Sequence, residues 1–370
     1  MNVLALRPYH ELNGAVFAES SGWEVPRNYG LGDAEILNVR RSAGVIDLGD
    51  RTKVRVEGPD RTTFLNSLVT GDVQGLPPGR AMTTLLLTEK GKVTGDLRIL
   101  ARPDAYLLDI DPLVADAVVG SIERHLISDE VTLTRARAAH LGVYGPAARG
   151  LLARALGTTL PPVPLDAMFD LALGGGARLW LLGVDTSGTA GIDAISLDDD
   201  LAVLWRRLLD LGATPFGRDA LETLVIEAGR PRAGVDMDET TIALEARMEP
   251  LISYTKGCYL GQETIARATH QGHVNRILVG LEIEGDYPPD PRAKLWTPEG
   301  KEVGFVTSAT YSPTVRRMIA LGYARVGFDE PGTRLLVDRS GWQLRATVAP
   351  LPFVGPGERV RPIVRAARRR

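Results

Sequence analysis

One short segment of the sequence combines residue types that are typical of thiol chemistry. It is Lys256-Gly257-Cys258-Tyr259-Leu260-Gly261-Gln262-Glu263, and it contains the only cysteine of the 370-residue chain. Glycine allows the backbone to turn sharply and to approach a ligand closely. Residues 262–268 have helix-forming propensity, so Cys258 is predicted to lie just before a helix N-terminus and near the ammonium of Lys256. Both features favour the reactive thiolate.

A purely structural role is the alternative for Cys258. A lone cysteine is most often a small buried hydrophobe without reactivity. The two neighbouring glycines and the lysine favour a functional role. The sequence leaves both interpretations open, because reactivity depends on exposure and on the state of the thiol.

Two carboxylates occupy positions at which an acidic side chain is locally unfavourable. Asp96 follows Gly95 within a predicted strand, where aspartate is disfavoured. It is predicted either to point to solvent or to face a cavity, where it would bind an amine or transfer a proton. Glu227 ends a predicted helix and opposes the helix dipole. Its carboxylate is predicted either to pair with Arg230 or Arg232, or to accept two parallel hydrogen bonds from a heterocycle such as a pterin.

The sequence gives little support for a resident metal. His270 and His273 follow Cys258 at a distance that suits a zinc site. No Cys-x-x-Cys or His-x-x-x-His spacing accompanies them, so no metal centre is predicted. A single cysteine also excludes an intramolecular disulfide and a Cys₄ cluster built from one chain.

The bulk composition is that of an ordinary globular protein. Hydrophobic residues make up 44% of the chain, charged residues 24%, and the formal net charge is −3. This balance gives no reason to expect direct binding to nucleic acid or to a membrane surface, and no apolar run reaches the roughly 20 residues of a membrane span. Residues 1–10 do not read as a signal peptide. Scarce cysteine fits a cytoplasmic protein, and residues 366–370 are predicted to form a solvated basic tail.

The spacing of apolar residues predicts an α+β chain. From residue 53 the predicted order is strand, helix, hairpin, strand, helix and strand, which indicates an antiparallel sheet covered by helices. Asp111 and Pro112 are predicted to begin the second of these helices. Other helices are predicted at residues 33–41, 198–211 and 218–228.

The predicted secondary structure changes near residues 270–276. Five short strands then follow without helices, which predicts a small β-barrel or sandwich. These strands are predicted at residues 276–283, 303–309, 319–326, 334–337 and 343–348.

The cysteine segment resembles the hallmark Lys-Gly-Cys-Tyr-x-Gly-Gln-Glu of the YgfZ family, a branch of the folate-binding, GcvT-like aminomethyltransferase superfamily. Further similarity to that superfamily extends over most of the chain. Residues 22–30 and 44–48 resemble the N-terminal region of the glycine-cleavage T-protein. Residues 226–236 resemble its folate-site segment, and residues 304–308 with 319–323 resemble its C-terminal barrel.

The resemblance implies three domains around a central channel that holds tetrahydrofolate or a one-carbon-substituted folate. It implies a split folate-binding domain (1–50 and 141–270), an inserted ferredoxin-like α+β domain (51–140) and a C-terminal β-barrel domain (271–365). It also implies that Glu227 lies against the pterin ring and that Asp96 lies near the one-carbon position. The residues then expected to bind folate are Glu227, Asp96, Tyr259, Gln262 and Arg267, and those expected to carry chemistry are Cys258, Lys256 and Asp96.

Three departures from the T-protein pattern accompany this resemblance. Gly95-Asp96 stands where aminomethyltransferases carry Asp-Asp, Val225 replaces an arginine, and Cys258-Tyr259 replaces Asp-Phe. The resemblance therefore favours a YgfZ-type accessory protein, which maintains or repairs iron–sulfur clusters in client enzymes, including radical enzymes that modify tRNA. Cys258 would supply one ligand of a transient shared cluster, or a redox contact. The alternative is a folate-dependent methyl or aminomethyl transferase that relies on Asp96.

Overall fold

The computed structural model describes residues 1–173, 176–271, 274–285, 287–290 and 292–355. The described chain forms three open sheets and one closed barrel. The helices are α1 (Arg7–Leu12), α2 (Asp33–Arg41), α3 (Arg61–Leu68), α4 (Ala115–His125), α5 (Ala148–Leu156), α6 (Ala202–Asp210), α7 (Arg218–Glu227) and α8 (Gln262–Gln271). The strands of the open sheets are β1 (Asn2–Val3), β2 (Val16–Ser20), β3 (Trp23–Asn28), β4 (Gly44–Asp47), β5 (Thr52–Glu57), β6 (Ala81–Leu87), β7 (Val93–Ala101), β8 (Tyr106–Ile110), β9 (Thr132–Ala136), β10 (Ala139–Tyr144), β11 (Met168–Ala172), β12 (Arg178–Val184), β13 (Gly191–Ser196) and β14 (Thr214–Pro215).

The six-stranded sheet has the order β11-β12-β13-β10-β4-β14 and is buried on both faces. One face packs on α5 and α6, where Leu152 and Trp205 are fully enclosed. The other face packs on α2 and α7, and its core also includes Leu100 and Leu107 of the neighbouring sheet. Burial on both sides explains why successive residues along these strands are apolar rather than alternating. The small sheet β1-β3-β2 lies at the N-terminal end of the chain.

The five-stranded sheet has the order β6-β7-β8-β5-β9 and is antiparallel throughout. Helices α3 and α4 pack their apolar residues against it. The predicted β6–β7 hairpin and the antiparallel sheet covered by helices are therefore confirmed. Helix α4 begins at Ala115 rather than at the predicted Asp111 and Pro112. Asp111 Oδ1 does accept a hydrogen bond of 3.0 Å from the Leu113 N–H, as an N-cap side chain does, but residues 112–114 form a turn that precedes the helix.

The C-terminal strands close into a barrel, as the sequence predicts. Its strands are β15 (Arg276–Ile283), β16 (Lys294–Trp296), β17 (Glu302–Ser312), β18 (Arg317–Arg325), β19 (Arg334–Arg339) and β20 (Trp342–Ala349), in the spatial order β15-β18-β17-β16-β19-β20. The sequence misses β16 because three residues are too few to show an alternating pattern. The α+β class and the C-terminal barrel are confirmed, while the domain boundaries stay a prediction. No helix of the described chain is both long and apolar enough to cross a lipid bilayer.

Candidate functional site

A cavity of about 820 Å³ opens beside strands β6 and β7. Helix α7, the segment 228–233 that follows it and the segment 247–251 form its other walls. This volume lies within the roughly 300–1,000 Å³ that small-molecule sites occupy. The charged residues of its lining are Asp50, Arg51, Asp96, Arg98, Asp111, Asp166, Asp185, Asp193, Arg218, Glu222, Arg230, Arg232 and Arg247.

Most of these charges are neutralised within the cavity wall. The ion pairs are Arg51 with Asp109 and Asp111, Arg98 with Asp193, Arg218 with Asp50, Arg230 with Asp185, and Arg232 with Glu222. Within the described residues, Asp96, Asp166 and Arg247 have no oppositely charged side chain within 4.0 Å. The cavity therefore offers two uncommitted carboxylates and one uncommitted guanidinium to a ligand.

Asp96 lies on the cavity side of β7. Its neighbour Gly95 faces the opposite side, where an added Cβ would lie 2.6 Å from a methyl carbon of Val118 in α4. An aspartate at position 95 would therefore be directed into an apolar core rather than into the cavity. Burial raises the pKa of Asp96, the nearby Asp111 raises it further, and Arg51 opposes both effects. A carboxyl group of this kind exchanges a proton closer to neutral pH than an exposed aspartate does.

A buried polar network lies behind Arg51 and Arg98. Lys53 Nζ is 2.9 Å from Asp109 Oδ1 and 3.2 Å from His140 Nδ1. His140 Nε2 in turn lies 3.2 Å from Asp193 Oδ2. The Tyr144 hydroxyl donates to Asp193 Oδ1 at 2.9 Å, and Arg98 donates to Asp193 Oδ2 at 2.8 Å. Burial, together with the Lys53 ammonium, lowers the pKa of His140, so the imidazole is neutral and its Nδ1 can accept from Lys53.

This network joins the five-stranded sheet to the six-stranded sheet and holds both cavity arginines in place. Sequence reasoning missed it, because its members come from β5, β8, β10 and β13, far apart in the chain. The available signal was Asp109 within the otherwise apolar strand β8, a position where a charged group requires a partner.

Glu227 is not among the described residues that line the cavity. Its Oε2 accepts hydrogen bonds of 3.0 and 2.7 Å from the guanidinium of Arg40, and its Oε1 accepts one from the Ser312 hydroxyl. The side chains of Arg40 and Glu227 are 3% and 0% exposed, so the pair is buried. The predicted pairing with Arg230 or Arg232 is wrong, because those arginines bind Asp185 and Glu222. Both oxygens of Glu227 therefore accept hydrogen bonds from protein groups, and the residue lies outside the described cavity lining.

Lys256 donates hydrogen bonds to carbonyl groups at the C-terminal end of helix α3. Its ammonium donates to the carbonyl oxygens of Asn66, Val69 and Gly71 at 2.5–2.7 Å. These carbonyls lie at and beyond the C-terminal turn of α3, where helix carbonyls lack intrahelical partners and a cation is favourable. All three N–H donors of Lys256 are used in this way, so the ammonium anchors the loop rather than activating the thiol by a hydrogen bond.

Cys258 is exposed, which removes the buried, inert alternative. Tyr259 beside it is buried, and burial raises its pKa to about 12. Gly261 adopts a left-handed φ of +79°, and an added Cβ there would lie 2.4 Å from the carbonyl oxygen of Thr88. This glycine is therefore required for close approach to the β6–β7 turn rather than to a ligand.

The structure separates these residues from the cavity lining. Among the described residues that line the cavity, this part of the chain contributes positions 247, 248, 250 and 251, but not Lys256, Cys258, Tyr259, Gln262 or Arg267. Gln262 begins α8, and Arg267 is exposed on the same helix. The structure thus brings Asp96 into the cavity and leaves the cysteine segment outside its lining.

His273 and the side chain of His270 lie outside the described residues, as does the basic tail. Within the described residues, no group of three or more His, Cys, Asp or Glu side chains is arranged to hold a metal ion.

The chain is an α+β protein of three open sheets and a closed barrel, with a cavity beside β6 and β7. Comparison with known families identifies the class further. Residues 6–256 match the GCVT N-terminal domain, and residues 276–355 match the glycine cleavage T-protein C-terminal barrel domain. The chain belongs to the GcvT family, the folate-binding aminomethyltransferase family.

Similar proteins extend along nearly the whole chain. An aminomethyltransferase from Alcanivorax borkumensis is 32% identical over 359 residues, which cover 96% of this chain and 98% of that protein. An aminomethyltransferase from a Synechococcus species is 32% identical over 343 residues, which cover 90% of this chain and 93% of that protein. The crystal structure of glycine cleavage system aminomethyltransferase T from Bartonella henselae aligns with a TM-score of 0.88 at 26% identity, covering 95% of this chain and 98% of that one. The predicted superfamily is confirmed, and these relatives are named as aminomethyltransferases rather than as members of the YgfZ branch.

Proposed function

We propose that the protein binds a reduced folate in the cavity and transfers a one-carbon unit between that folate and an amine. The position of Asp96 carries this proposal: it is an uncommitted carboxylate on the cavity wall with a raised pKa. The alternative that the sequence offered, a folate-dependent aminomethyl transferase relying on Asp96, thereby becomes the preferred function. The family and the names of the relatives support it.

The residues of the cavity suit a reduced folate. Such a molecule combines a heterocyclic head bearing N–H donors with a tail bearing carboxylates, and it supplies ring nitrogens that accept a one-carbon unit. Carboxylates of the protein accept hydrogen bonds from the N–H donors of the heterocyclic head, and arginine binds the carboxylates of the tail. The cavity contains uncommitted groups of both kinds.

The chain's own contribution is proton transfer and orientation. Moving the aminomethyl carbon onto two folate nitrogens breaks its bond to the amine and its bond to the rest of the donor, and the two folate N–H protons go to these two departing groups. Asp96 can take up the first proton and return one to the amine, because its raised pKa lets both forms be populated. Arg51 and Arg98 lie near this carboxylate and are held by Asp109 and Asp193, so the charge around Asp96 is fixed before a ligand binds.

The proposal is tested by binding and turnover of the intact chain. We expect saturable binding of tetrahydrofolate in calorimetry, and formation of methylenetetrahydrofolate with release of ammonia when an aminomethyl donor is added. A chain that binds no tetrahydrofolate would overturn the proposal. A chain that binds tetrahydrofolate but releases no ammonia from the donor would contradict the proposed transferase activity.

A second function is favoured by one separate observation, the exposure of Cys258 on a loop that Lys256 anchors. We propose that, in this second function, the folate-bound protein assists iron–sulfur client or assembly proteins. A single thiolate cannot hold a cluster, so Cys258 would provide one ligand, or a redox contact, at an interface with a client.

Replacement of Cys258 separates the two functions. We expect Cys258→Ser to leave tetrahydrofolate binding unchanged, since the thiol is outside the cavity lining. In a strain that lacks the gene, this variant should fail to restore the activities of iron–sulfur enzymes, while Tyr254→Ser, which removes another exposed side chain of the same loop, should restore them. Full restoration by Cys258→Ser would contradict the accessory role.

A further inference from the structure

We infer that Asp193 is a positioning residue: it keeps the guanidinium of Arg98 away from Asp96, and so leaves the Asp96 carboxyl free to exchange a proton. Tyr144 and His140 in turn hold the Asp193 carboxylate. The role of Asp193 rests on the proposed function for its consequence in catalysis, but it can be tested on the protein without any ligand. Neither Asp193 nor the two residues that hold it were candidates on the basis of sequence.

Two carboxylates lie within reach of the Arg98 side chain. Asp96 and Arg98 are two residues apart on β7, so their side chains lie on the same face of the strand, and both line the cavity. Their Cα atoms are about 7 Å apart along the strand, a distance that an extended arginine side chain spans. Arg98 Nη1 nevertheless lies 2.8 Å from Asp193 Oδ2, and within the described residues it forms no ion pair with Asp96.

The different burial of the two carboxylates explains which of them binds Arg98. The Asp193 side chain is only 1% exposed, and a carboxylate buried without a cationic partner is strongly unfavourable. Asp96 is partly exposed at the cavity wall. Burial opposes ionisation of Asp193, but the His140 imidazole and the Arg98 guanidinium outweigh it and lower the pKa of Asp193 to about 2. Asp193 is therefore ionised throughout the pH range in which Asp96 titrates, and it retains the guanidinium.

Tyr144 occupies a space that two glycines leave for its ring. An added Cβ at Gly142 would lie 2.6 Å from Tyr144 Cζ, and one at Gly191 would lie 2.4 Å from Tyr144 Cδ1. These glycines lie on β10 and β13, the strands that carry Tyr144 and Asp193. The enclosed ring directs its hydroxyl to Asp193 Oδ1 at 2.9 Å. This hydrogen bond fixes the orientation of the carboxylate and leaves Oδ2 to Arg98.

His140 and a row of charges across the five-stranded sheet support the same arrangement. Lys53 is 3.2 Å from His140 Nδ1, so the proton of the neutral ring lies on Nε2, which is 3.2 Å from Asp193 Oδ2. Lys53 and Arg98 are both directly opposite Asp109, on β5 and β7 respectively. This row places a second carboxylate oxygen, Asp109 Oδ2, 3.7 Å from Arg98 Nη1.

Release of Arg98 would change the chemistry of Asp96. Burial raises the pKa of Asp96, Arg51 opposes this effect, and Asp111 adds to it. A guanidinium that pairs with a carboxylate lowers the pKa of that carboxyl by about 1–3 units. Held in such a pair, Asp96 would stay ionised at neutral pH and would return a proton to a departing group less readily.

The charged groups around Asp96 come from several walls of the cavity. Arg51 precedes β5 and Asp111 follows β8, while the residue opposite Asp96 on β6 is apolar. The segment 247–251 lies level with Asp96. Substitutions of Arg98 and its partner leave all of these groups in place. The other charged groups of the described walls are Asp50, Asp166, Asp185, Arg218, Glu222, Arg230, Arg232 and Arg247.

The titration of the Asp96 carboxyl reports where the guanidinium lies. Aspartate carboxyl carbons are labelled with ¹³C for NMR, and the Asp96 resonance is identified by its absence from Asp96→Asn. We expect Asp193→Asn to lower the titration midpoint of Asp96 by about one pH unit or more, because the released guanidinium of Arg98 then pairs with it. The acid-side decline of the transfer rate should move by the same amount. A purely structural role of Asp193 would lower stability and leave the midpoint unchanged, which would overturn the inference.

Removal of both partners provides the matched control. The double variant Arg98→Gln/Asp193→Asn leaves neither an unpaired cation nor an unpaired anion, so it should fold even if Asp193→Asn alone does not. We expect its Asp96 midpoint to stay close to that of the wild type, because the two removed charges neutralise each other. A midpoint clearly above the wild-type value would show that Arg98 already acts on Asp96 in the wild type, and would overturn the inference.

The titration needs no ligand, so its outcome is separate from that of the folate experiment. If the Asp96 midpoint falls in Asp193→Asn but the wild type binds no tetrahydrofolate, the proposed function fails and the positioning by Asp193 stands. If tetrahydrofolate binds and turns over but the midpoint does not move, the assignment of Asp193 fails and the proposed function stands.

Discussion

Replacing Asp96 with asparagine is expected to lower the rate of one-carbon transfer by about 100-fold or more, the range of general acid–base contributions. Asparagine preserves the shape and a hydrogen-bonding oxygen of the side chain but cannot exchange a proton. Tetrahydrofolate should therefore still bind to the variant, and the loss should appear in the turnover number. Initial rates of ammonia release at saturating folate, with calorimetry on the same preparation, measure both quantities.

The pH dependence of the wild-type rate provides a second signature of Asp96. Burial raises the pKa of this carboxyl above its ordinary value of 3.8. The proton-accepting form is lost as the pH falls through that raised pKa, so the rate should decline on the acid side at a higher pH than an exposed aspartate would give. Asp111→Asn removes the neighbouring like charge and should shift this decline to lower pH.

The Asp96→Asn variant should be less active than the wild type but at least as stable. A raised pKa in the folded state means that the carboxylate, once ionised, costs folding free energy. That cost is absent below the ordinary aspartate pKa and grows as the pH rises through the folded-state pKa. At neutral pH the asparagine variant should therefore unfold at a temperature equal to or higher than the wild type. A variant that unfolds earlier, or retains the wild-type rate, would contradict the assigned role.

Regular local patterns made much of the fold predictable. The strand β15 and the helix α2 were predicted at the residues where they occur, because each has a clear apolar pattern and defined ends. Helix α6 begins at Ala202 rather than at the predicted Asp198. Asp199 and Asp200 accept hydrogen bonds from the backbone N–H groups of Leu201 and Ala202, so a turn precedes the helix.

The site was only partly predictable, because most of its residues are marked only by contacts that form when the chain folds. Asp96 could be found, since aspartate within a strand is locally unfavourable and invites an explanation. Asp166 and Arg247 could not, because their left-handed backbone and their lack of an ionic partner within the described residues appear only when the chain is folded. Glu227 was noticed for a sound local reason, but its partner Arg40 is 187 positions away and carries no local sign of the pairing.

Breaking the Arg40–Glu227 pair is expected to give the largest loss of stability among single substitutions at this site. Glu227→Gln keeps the volume of the side chain but leaves the Arg40 guanidinium buried without its counter-charge. Removing one member of a buried pair typically costs about 3–5 kcal/mol of unfolding free energy. Arg40 also donates to Ser187 O at 2.7 Å and to Thr189 Oγ1 at 2.8 Å, so those hydrogen bonds hold the charge in place and it cannot turn to solvent without further loss.

Urea unfolding of a small set of variants measures this loss. Ser312→Ala, which removes one hydrogen bond to Glu227 and leaves the ion pair, should cost only about 1 kcal/mol. The double variant Arg40→Met/Glu227→Gln should be more stable than the sum of the single effects predicts, because neither partner is then left as an unpaired buried charge.

The same variants decide between the two roles considered for Glu227. If the carboxylate holds α7 against α2 and the barrel, Glu227→Gln and Arg40→Met should both lower stability, and folded protein of either kind should bind tetrahydrofolate nearly as wild type does. If the carboxylate instead contacts a pterin ring, Glu227→Gln alone should abolish binding while Arg40→Met largely preserves it. The enclosed ion pair, the hydrogen bond from Ser312 and the absence of Glu227 from the described cavity lining favour the first result.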